Sequence, residues 1–122
     1  MTVDLAHGLA RRAYSSHPMD YPVSGTKPIE RNAWFDIVHG EKRTFVANRI
    51  AEIAMVFPDH QKIWAMGCGS VVNLPVVLDG ELAATINLLH EEHYYNDARV
   101  AAMVRYLAQP AALACRKAQA LN

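Results

Sequence analysis

The sequence predicts a single α+β domain that combines an antiparallel sheet with short helices and one long helix. The first observation is Asp79-Gly80, which separates two apolar runs at residues 69–78 and 81–90. Such a dipeptide between β-branched runs is typical of a β-hairpin. The second is a pair of short runs near the N-terminus, and the third is a long amphipathic stripe after residue 95.

Composition favours one globular domain spanning residues 1–122. The chain has 122 residues, 52% of them hydrophobic and 20% charged, which is enough for one core. Twelve basic residues balance twelve acidic ones, so the composition argues against a nucleic-acid or anionic-membrane partner. No apolar run has the length of a membrane span, and no signal peptide is recognisable. We therefore expect a cytoplasmic protein with two free thiols, Cys68 and Cys115.

The first half of the chain predicts short elements around an irregular loop. Residues 2–6 and 9–16 form a strand pair joined at His7-Gly8, and three prolines make residues 17–28 a loop. A short helix at 33–38 and a β segment at 44–48 follow. The pattern then predicts helices at 49–57 and 61–66, the second capped by Asp59.

The central hairpin leaves one question open, which is the relation between Asn73 and Asn87. A tight two-residue turn places these amides on opposite faces of the sheet, whereas a three-residue bulged turn pairs them. The long helix that follows is capped by Asn96 or Asp97. Pro110 either kinks this helix or starts a second segment. Its sheet-facing stripe is predicted to contain Val100, Met103, Val104, Leu107 and Ala111.

The sharpest motif runs from Gly69-Ser70 through Pro75 and Asp79-Gly80 to Asn87-Leu88. This motif resembles the GAF domain family. Three further features share the resemblance: the order of elements, residues 45–48 followed by a helix and Phe57-Pro58-Asp59, and the end of the terminal helix. GAF domains are PAS-related small-molecule sensors, and the resemblance covers roughly residues 9–119. It implies a central antiparallel sheet, short pocket-covering helices on one face and the long helix on the other.

The resemblance also implies where a ligand would bind, although it does not identify the ligand or any cofactor. The pocket would be bounded by residues 70–78, by residues 45–49 and by the Trp34 helix. Its candidate ligand-binding residues are Tyr14, Tyr21, Trp34, Phe35, Phe45, Asn48, Arg49, Cys68, Ser70, Asn73 and Asn87. Core packing explains the same aromatic residues, and a filled, purely structural pocket is an open alternative.

Two departures from the family pattern affect the predicted partners. The leading helix of the family is absent or the start of the sequence has been set too late, and Ala84 stands where many members have glycine. Without that helix, apolar surface on the terminal helix should be exposed, with Ala101, Ala108, Ala111, Ala112 and Ala114 adding small residues to it. We therefore expect a homodimer through the C-terminal helix.

Catalysis and metal binding have weaker support in the sequence. Cys68 lies between two glycines, and one GAF-like branch, the free methionine-R-sulfoxide reductases, uses pocket cysteines for redox chemistry. A small redox enzyme using Cys68 is therefore the alternative to a non-catalytic regulatory domain. The His90 to His93 segment has the wrong spacing for a zinc protease motif, so we expect no metal site there.

Overall fold

The computed structural model describes residues 1–121 as one six-stranded antiparallel sheet with four helices, which confirms the α+β class. The strand order is β3-β2-β1-β6-β5-β4. The strands are β1 (Thr2–Asp4), β2 (Leu9–Arg11), β3 (Thr26–Pro28), β4 (Phe45–Ala47), β5 (Ser70–Leu78) and β6 (Glu81–His90). The helices are α1 (Ala33–Phe35, continued by a π-helical turn at Asp36–Gly40), α2 (Ile50–Ala54), α3 (His60–Ala65) and α4 (Asp97–Ala120).

The N-terminal strand pair is confirmed, but its turn is longer than the sequence suggested. Strands β1 and β2 pair in the register Thr2↔Arg11 to Asp4↔Leu9, and residues 5–8 form the connection. The predicted loop also contains a strand that sequence reasoning missed, since β3 pairs with β2. Pro28 is tolerated there because β3 is an edge strand and needs no further ladder partner.

The central hairpin answers the asparagine question in a way that neither alternative anticipated. Asp79 and Gly80 form a tight two-residue turn, both with positive φ, and yet Asn73 pairs with Asn87. The pairing register shifts between Val76 and Val77. Val77 pairs with Leu82 whereas Val76 pairs with Ala84, and Ala83 is left without a partner. Ala83 is thus a β-bulge, and this one extra residue brings the two amides opposite each other.

Helices α1, α2 and α3 pack on one side of the sheet, called here the front face. The buried core on this side combines Ala47, Ile53, Ile63 and Val71. Alternate residues of a strand point to the same face, so Asn73 lies on the front face with Val71. The apolar spacing of α2 and α3 therefore positions these short helices over β4 and β5.

Helix α4 packs against β5 from the other side, called here the back face. The back-face residues Val72, Leu74 and Val76 are buried. Asn96 caps the helix, because its side-chain oxygen accepts a hydrogen bond from the Arg99 backbone N–H (2.9 Å). The helix runs through Pro110 as one element of 24 residues, so no second segment begins there.

The burial pattern of α4 corrects the predicted stripe. Val104 is 39% exposed and does not belong to the covered side. The half-buried side includes Ala111, as predicted, and also Ala108 and Ala112, two small residues that were not part of the predicted stripe. Helical geometry explains this burial pattern. Positions 100, 103, 107, 111 and 115 are spaced by three or four residues, so they lie on one side of the helix. Among the described residues, no helix is long and apolar enough to cross a membrane.

Candidate functional site

A hydrogen-bonded ladder connects α1 to the central hairpin at the predicted pocket. The indole Nε1 of Trp34 donates to Oδ1 of Asn73 (2.9 Å), and Nδ2 of Asn73 donates to Oδ1 of Asn87 (2.8 Å). Asn73 is only 3% exposed, so burying its amide requires these partners. The Ala83 bulge makes the ladder possible, since it places both asparagines on the front face.

Four rings surround this ladder. Trp34 contacts Phe57 edge-on, with ring centroids 5.9 Å apart, and Phe57 makes a similar contact with Phe45 at 6.3 Å. Phe35 stacks on His39, with centroids 4.5 Å apart. These geometries are favourable for aromatic pairs. The Trp34 cluster is defined here as Trp34, Phe35, His39, Phe45, Phe57, Asn73 and Asn87.

His39 is the least satisfied polar residue of the Trp34 cluster. It is 9% exposed, and its Nδ1 is the buried side-chain atom among residues 1–121 that has no hydrogen-bond partner. Burial, and secondly the charge of Arg31, lowers the pKa of His39 below its usual value. The lowered pKa favours the neutral imidazole. His39 lies in the π-helical turn, a kind of distortion often found at functional sites.

Two of the predicted aromatic residues lie outside this cluster. Tyr14 is 79% exposed and lies in the irregular segment that directly follows β2. Tyr21 lies beside α3, where its hydroxyl donates to the Asp59 carboxylate (2.7 Å) and its ring contacts Arg12 and Lys62 at 5.0 and 4.7 Å. Asp59 makes no side-chain capping bond to α3, which corrects the predicted cap. These contacts attach the loop to the front-face helices.

Two of the predicted polar residues, Asn48 and Ser70, support the backbone near the end of β6, and a third, Arg49, lies at the surface. The Asn48 amide donates to Tyr95 O (2.8 Å) and accepts from Tyr95 N (3.0 Å). Ser70 Oγ donates to the Glu91 carbonyl (2.6 Å). Arg49 is the N-terminal flanking residue of α2, and its side chain lies 3.7 Å from Glu52 at the surface. Asn48 and Ser70 are thus occupied by structural hydrogen bonds.

Cys68 packs against the front-face core beside Ile63 and Val71. Burial raises the pKa of the Cys68 thiol, which disfavours the reactive thiolate. Cys68 and Cys115 are both free. The arrangement provides neither a lowered pKa nor a bonded partner thiol for redox chemistry.

The segment from His90 to His93 has structural contacts of its own. The His90 ring stacks on Tyr94 at 3.5 Å. Glu92 reaches the start of α2, where its Oε2 accepts a hydrogen bond from Ile50 N (3.0 Å). A Cβ atom on Gly69 would lie 2.3 Å from Cγ of Glu92, so the glycine leaves the space that Glu92 needs. Among the described residues, no group of His, Cys, Asp or Glu is arranged to hold a metal ion.

Two surface cavities stand out in the part of the chain that is described, and both lie away from the Trp34 cluster. One of about 180 Å³ lies on β1, β2 and β3. The other, of about 310 Å³, lies on α4 and is lined by Arg99, Ala102, Met103, Tyr106 and Leu107. The predicted pocket space is instead occupied by the indole of Trp34 and its neighbours.

The structure thus brings together five of the predicted ligand-binding residues, namely Trp34, Phe35, Phe45, Asn73 and Asn87. It adds Phe57 and His39, which the sequence analysis did not select. Phe57 could have been found from its place in the Phe57-Pro58-Asp59 motif. His39 follows Phe35 by four positions, the spacing of stacked helical neighbours. The chain matches no protein-family model, no curated protein and no solved structure in comparisons with known proteins.

Proposed function

We propose that this chain is a GAF-like regulatory domain without catalytic activity of its own, which forms a homodimer through α4. The order of elements supports the likeness: an antiparallel sheet has the short helices on its front face and the long helix on its back face. The Asp79-Gly80 hairpin lies at the centre of this arrangement.

The observation that carries the proposal is the apolar outer surface of α4, defined here as Ala102, Tyr106 and Leu113, with the half-buried Met103 and Leu107 at its margin. Tyr106 is 66% exposed and Leu113 is 55% exposed. These two side chains are seven positions apart, so they lie on one side of the helix. The α4 cavity adds a concave apolar area beside Tyr106.

A second copy of the chain is the simplest partner for this surface. A two-fold axis places the same surface on both chains, so one patch covers both copies. Tyrosine is also among the residues enriched at protein interfaces, since its ring is apolar and its hydroxyl can stay hydrated. The formal net charge of the chain is zero, so charge repulsion does not oppose the association.

Sedimentation equilibrium at micromolar concentration tests the dimer. We expect a mass of twice 13.6 kDa for the unchanged chain, and a monomer for Tyr106→Glu. Tyr14→Glu is the matched control, since Tyr14 is even more exposed but lies in the loop, and it should remain dimeric. A monomeric unchanged chain, or a dimeric Tyr106→Glu variant, contradicts the proposal.

Small-molecule binding at the Trp34 cluster is the second candidate function, and the unpartnered Nδ1 of His39 favours it. A buried polar atom without a partner costs free energy that a ligand could recover. Since the Trp34 indole fills the predicted pocket, binding requires this side chain to move. Native mass spectrometry of the protein purified from its own cell tests the idea.

The expected result is a retained ligand that is lost in His39→Leu and kept in Tyr21→Phe, whose hydroxyl bonds to Asp59 outside the cluster. A protein that carries no ligand, or one whose ligand is kept by His39→Leu, argues against binding at this cluster. The redox alternative has the least support, because burial raises the Cys68 pKa.

A further inference from the structure

The amine of Lys27 lies on the front face without a polar partner. Lys27 pairs with Ala10 in the β2–β3 ladder, so both side chains point to the same side of the sheet. The Nζ atom of Lys27 lies 5.6 Å from the centre of the Phe57 ring, which packs against the front-face core. Among residues 1–121, no hydrogen bond or ion pair joins this Nζ to another group. The amine therefore has an aromatic face where a lysine usually has water or an oxygen atom.

These surroundings favour the neutral amine of Lys27 over the ammonium ion. Partial burial, the largest cause, lowers the pKa of Lys27 below its ordinary value, and the positive charge of Arg12 lowers this pKa further. The negative charges of Asp59 and Glu30 act in the opposite sense and are outweighed. A lysine with a lowered pKa has more of the uncharged amine at neutral pH, and the uncharged amine is the nucleophilic form.

The three other lysines of the chain have different surroundings. The Nζ of Lys62 donates a hydrogen bond to the Asp20 carbonyl (2.6 Å), and such a bond stabilises the charged form. Lys42 and Lys117 are exposed, the first in the loop before β4 and the second in α4. In the part of the chain that is described, Lys27 is thus the lysine whose amine lies on an aromatic ring and donates no hydrogen bond.

Arg12 supplies a positive charge beside this amine. Its backbone N–H donates to the Gly25 carbonyl (2.9 Å), so the β2–β3 ladder continues to this residue. Arg12 follows Ala10 by two positions and is therefore a diagonal neighbour of Lys27 on the front face. Its Nη1 donates to the Pro22 carbonyl (2.9 Å), and no carboxylate of the described residues forms an ion pair with it. The guanidinium has several further N–H donors, which suit a carboxylate.

We propose that Lys27 binds a small 2-oxo acid as a reversible imine, with Arg12 holding the carboxylate of the ligand. The neutral amine attacks the carbonyl carbon and forms the N–C bond, while one amine proton moves to the carbonyl oxygen. The resulting hydroxyl then leaves with the second amine proton as water, and the C=N bond forms. One ligand and one amine thus give one imine and one water, without an oxidant or a reductant, and hydrolysis reverses the reaction.

The arrangement around Lys27 suits both the ligand and the product. In a 2-oxo acid the carboxylate is bonded to the carbonyl carbon, so a ligand held by Arg12 has its reactive carbon close to the neighbouring side chain. Protonation of the imine gives a cation, which the negative charges of Asp59 and Glu30 stabilise. Lys27 as a whole residue is exposed, so a solute reaches it from water. The site lies away from α4 and does not depend on the proposed dimer.

Reductive trapping with pyruvate tests the proposal. The full chain is incubated with pyruvate and cyanoborohydride at neutral pH, and peptide mass spectrometry locates the reduced adduct. We expect Lys27 to be modified about tenfold faster than Lys42, Lys62 or Lys117, because more of its amine is neutral and Arg12 holds the ligand. Equal rates at the four lysines, or a slower rate at Lys27, would overturn the proposal. Tyr106→Glu should leave the rate at Lys27 unchanged, which separates this result from the fate of the dimer.

Acetone is the matched control ligand, because it has the same carbonyl group without the carboxylate. The ratio of the pyruvate rate to the acetone rate should be higher at Lys27 than at Lys62, whose ratio gives the intrinsic difference between the two ligands. In Arg12→Gln this ratio at Lys27 should fall to the value at Lys62, whereas Arg12→Lys, which keeps the charge, should retain the higher value. The same ratio at both lysines of the unchanged chain would contradict the role of Arg12.

Discussion

The two halves of the sheet differ in what covers them. Strands β4, β5 and β6 lie between α1–α3 and α4, and residues 70–74 of β5 are at most 3% exposed. Strands β1, β2 and β3 have three residues each and are mostly exposed, and they join the rest of the sheet at Thr2↔Ala84. The difference teaches that stability is concentrated in the hairpin half, while the N-terminal half can open locally at low cost.

The largest expected effect is that of a core truncation in the hairpin half. Ile53 is fully buried on the front face, so Ile53→Ala should lower the free energy of unfolding by about 2–5 kcal/mol. Leu9→Ala, on a residue that is 37% exposed in β2, should cost no more than about 1 kcal/mol. Urea denaturation measures both free energies of unfolding. Similar losses in the two variants would contradict the difference in stability between the two halves of the sheet.

The next effect concerns the ladder that joins α1 to the hairpin. Asn73→Ala leaves the Trp34 indole N–H and the Asn87 amide without their partner, and should cost about 1–3 kcal/mol. Asn87→Ala leaves only Nδ2 of Asn73 without its partner and keeps the Trp34 hydrogen bond, so it should cost less. Trp34 fluorescence, recorded with Trp64→Phe as background, should change in Asn73→Ala. An unchanged spectrum and stability would show that the ladder contributes nothing.

A smaller loss is expected where Gly69 makes room for Glu92. Gly69→Ala would displace Glu92 and remove its hydrogen bond to the first turn of α2, at a cost of about 1 kcal/mol. Gly40→Ala is the control, since a Cβ there has no atom within 4 Å. Thermal unfolding compares the two, and a loss in Gly40→Ala as large as that in Gly69→Ala would contradict this account.

The smallest effect is the pH dependence that His39 adds to stability. Its pKa in the folded chain is lowered, first by burial and second by Arg31, so the unfolded chain binds a proton more readily. The contribution of neutral His39 is therefore complete above its ordinary pKa of 6.5, and it is lost as the pH falls below that value towards the folded pKa. Urea titrations at several pH values give the free energy of unfolding as a function of pH. Below pH 6.5, the unfolding free energy of the unchanged chain should fall more steeply with decreasing pH than that of His39→Phe. The same dependence on pH in both proteins would show that His39 is not protected from protonation.

Local patterns predicted the elements that depend on local chemistry. The Asp79-Gly80 turn and a helix cap at Asn96 or Asp97 were both predicted because neighbouring residues determine such features, and the structure has Asn96 as the cap. Strand β3 was missed because Pro28 argues against a central strand, and only its place at the sheet edge makes it acceptable.

The parts of the site that sequence did not predict depend on residues far apart in the chain. The Asp59 carboxylate bonds to Tyr21, 38 positions away, rather than to its own helix. The π-helical turn at Asp36–Gly40 continues α1, and no local propensity indicates such a turn. The Asn73–Asn87 contact, in turn, required a bulge whose position the hairpin sequence did not specify.

That bulge gives the hairpin a tolerance to changes in chain length. Every pair from Ser70↔His90 to Val76↔Ala84 lies on one side of Ala83, and the turn with its two pairs lies on the other. Deleting the Ala83 codon would therefore join Leu82 directly to Ala84 and give a regular ladder with the same partners. In a strand without such a bulge, losing one residue would turn the following side chains over to the opposite face. The extra alanine is thus a reserve of one residue, through which this hairpin can survive a deletion during evolution.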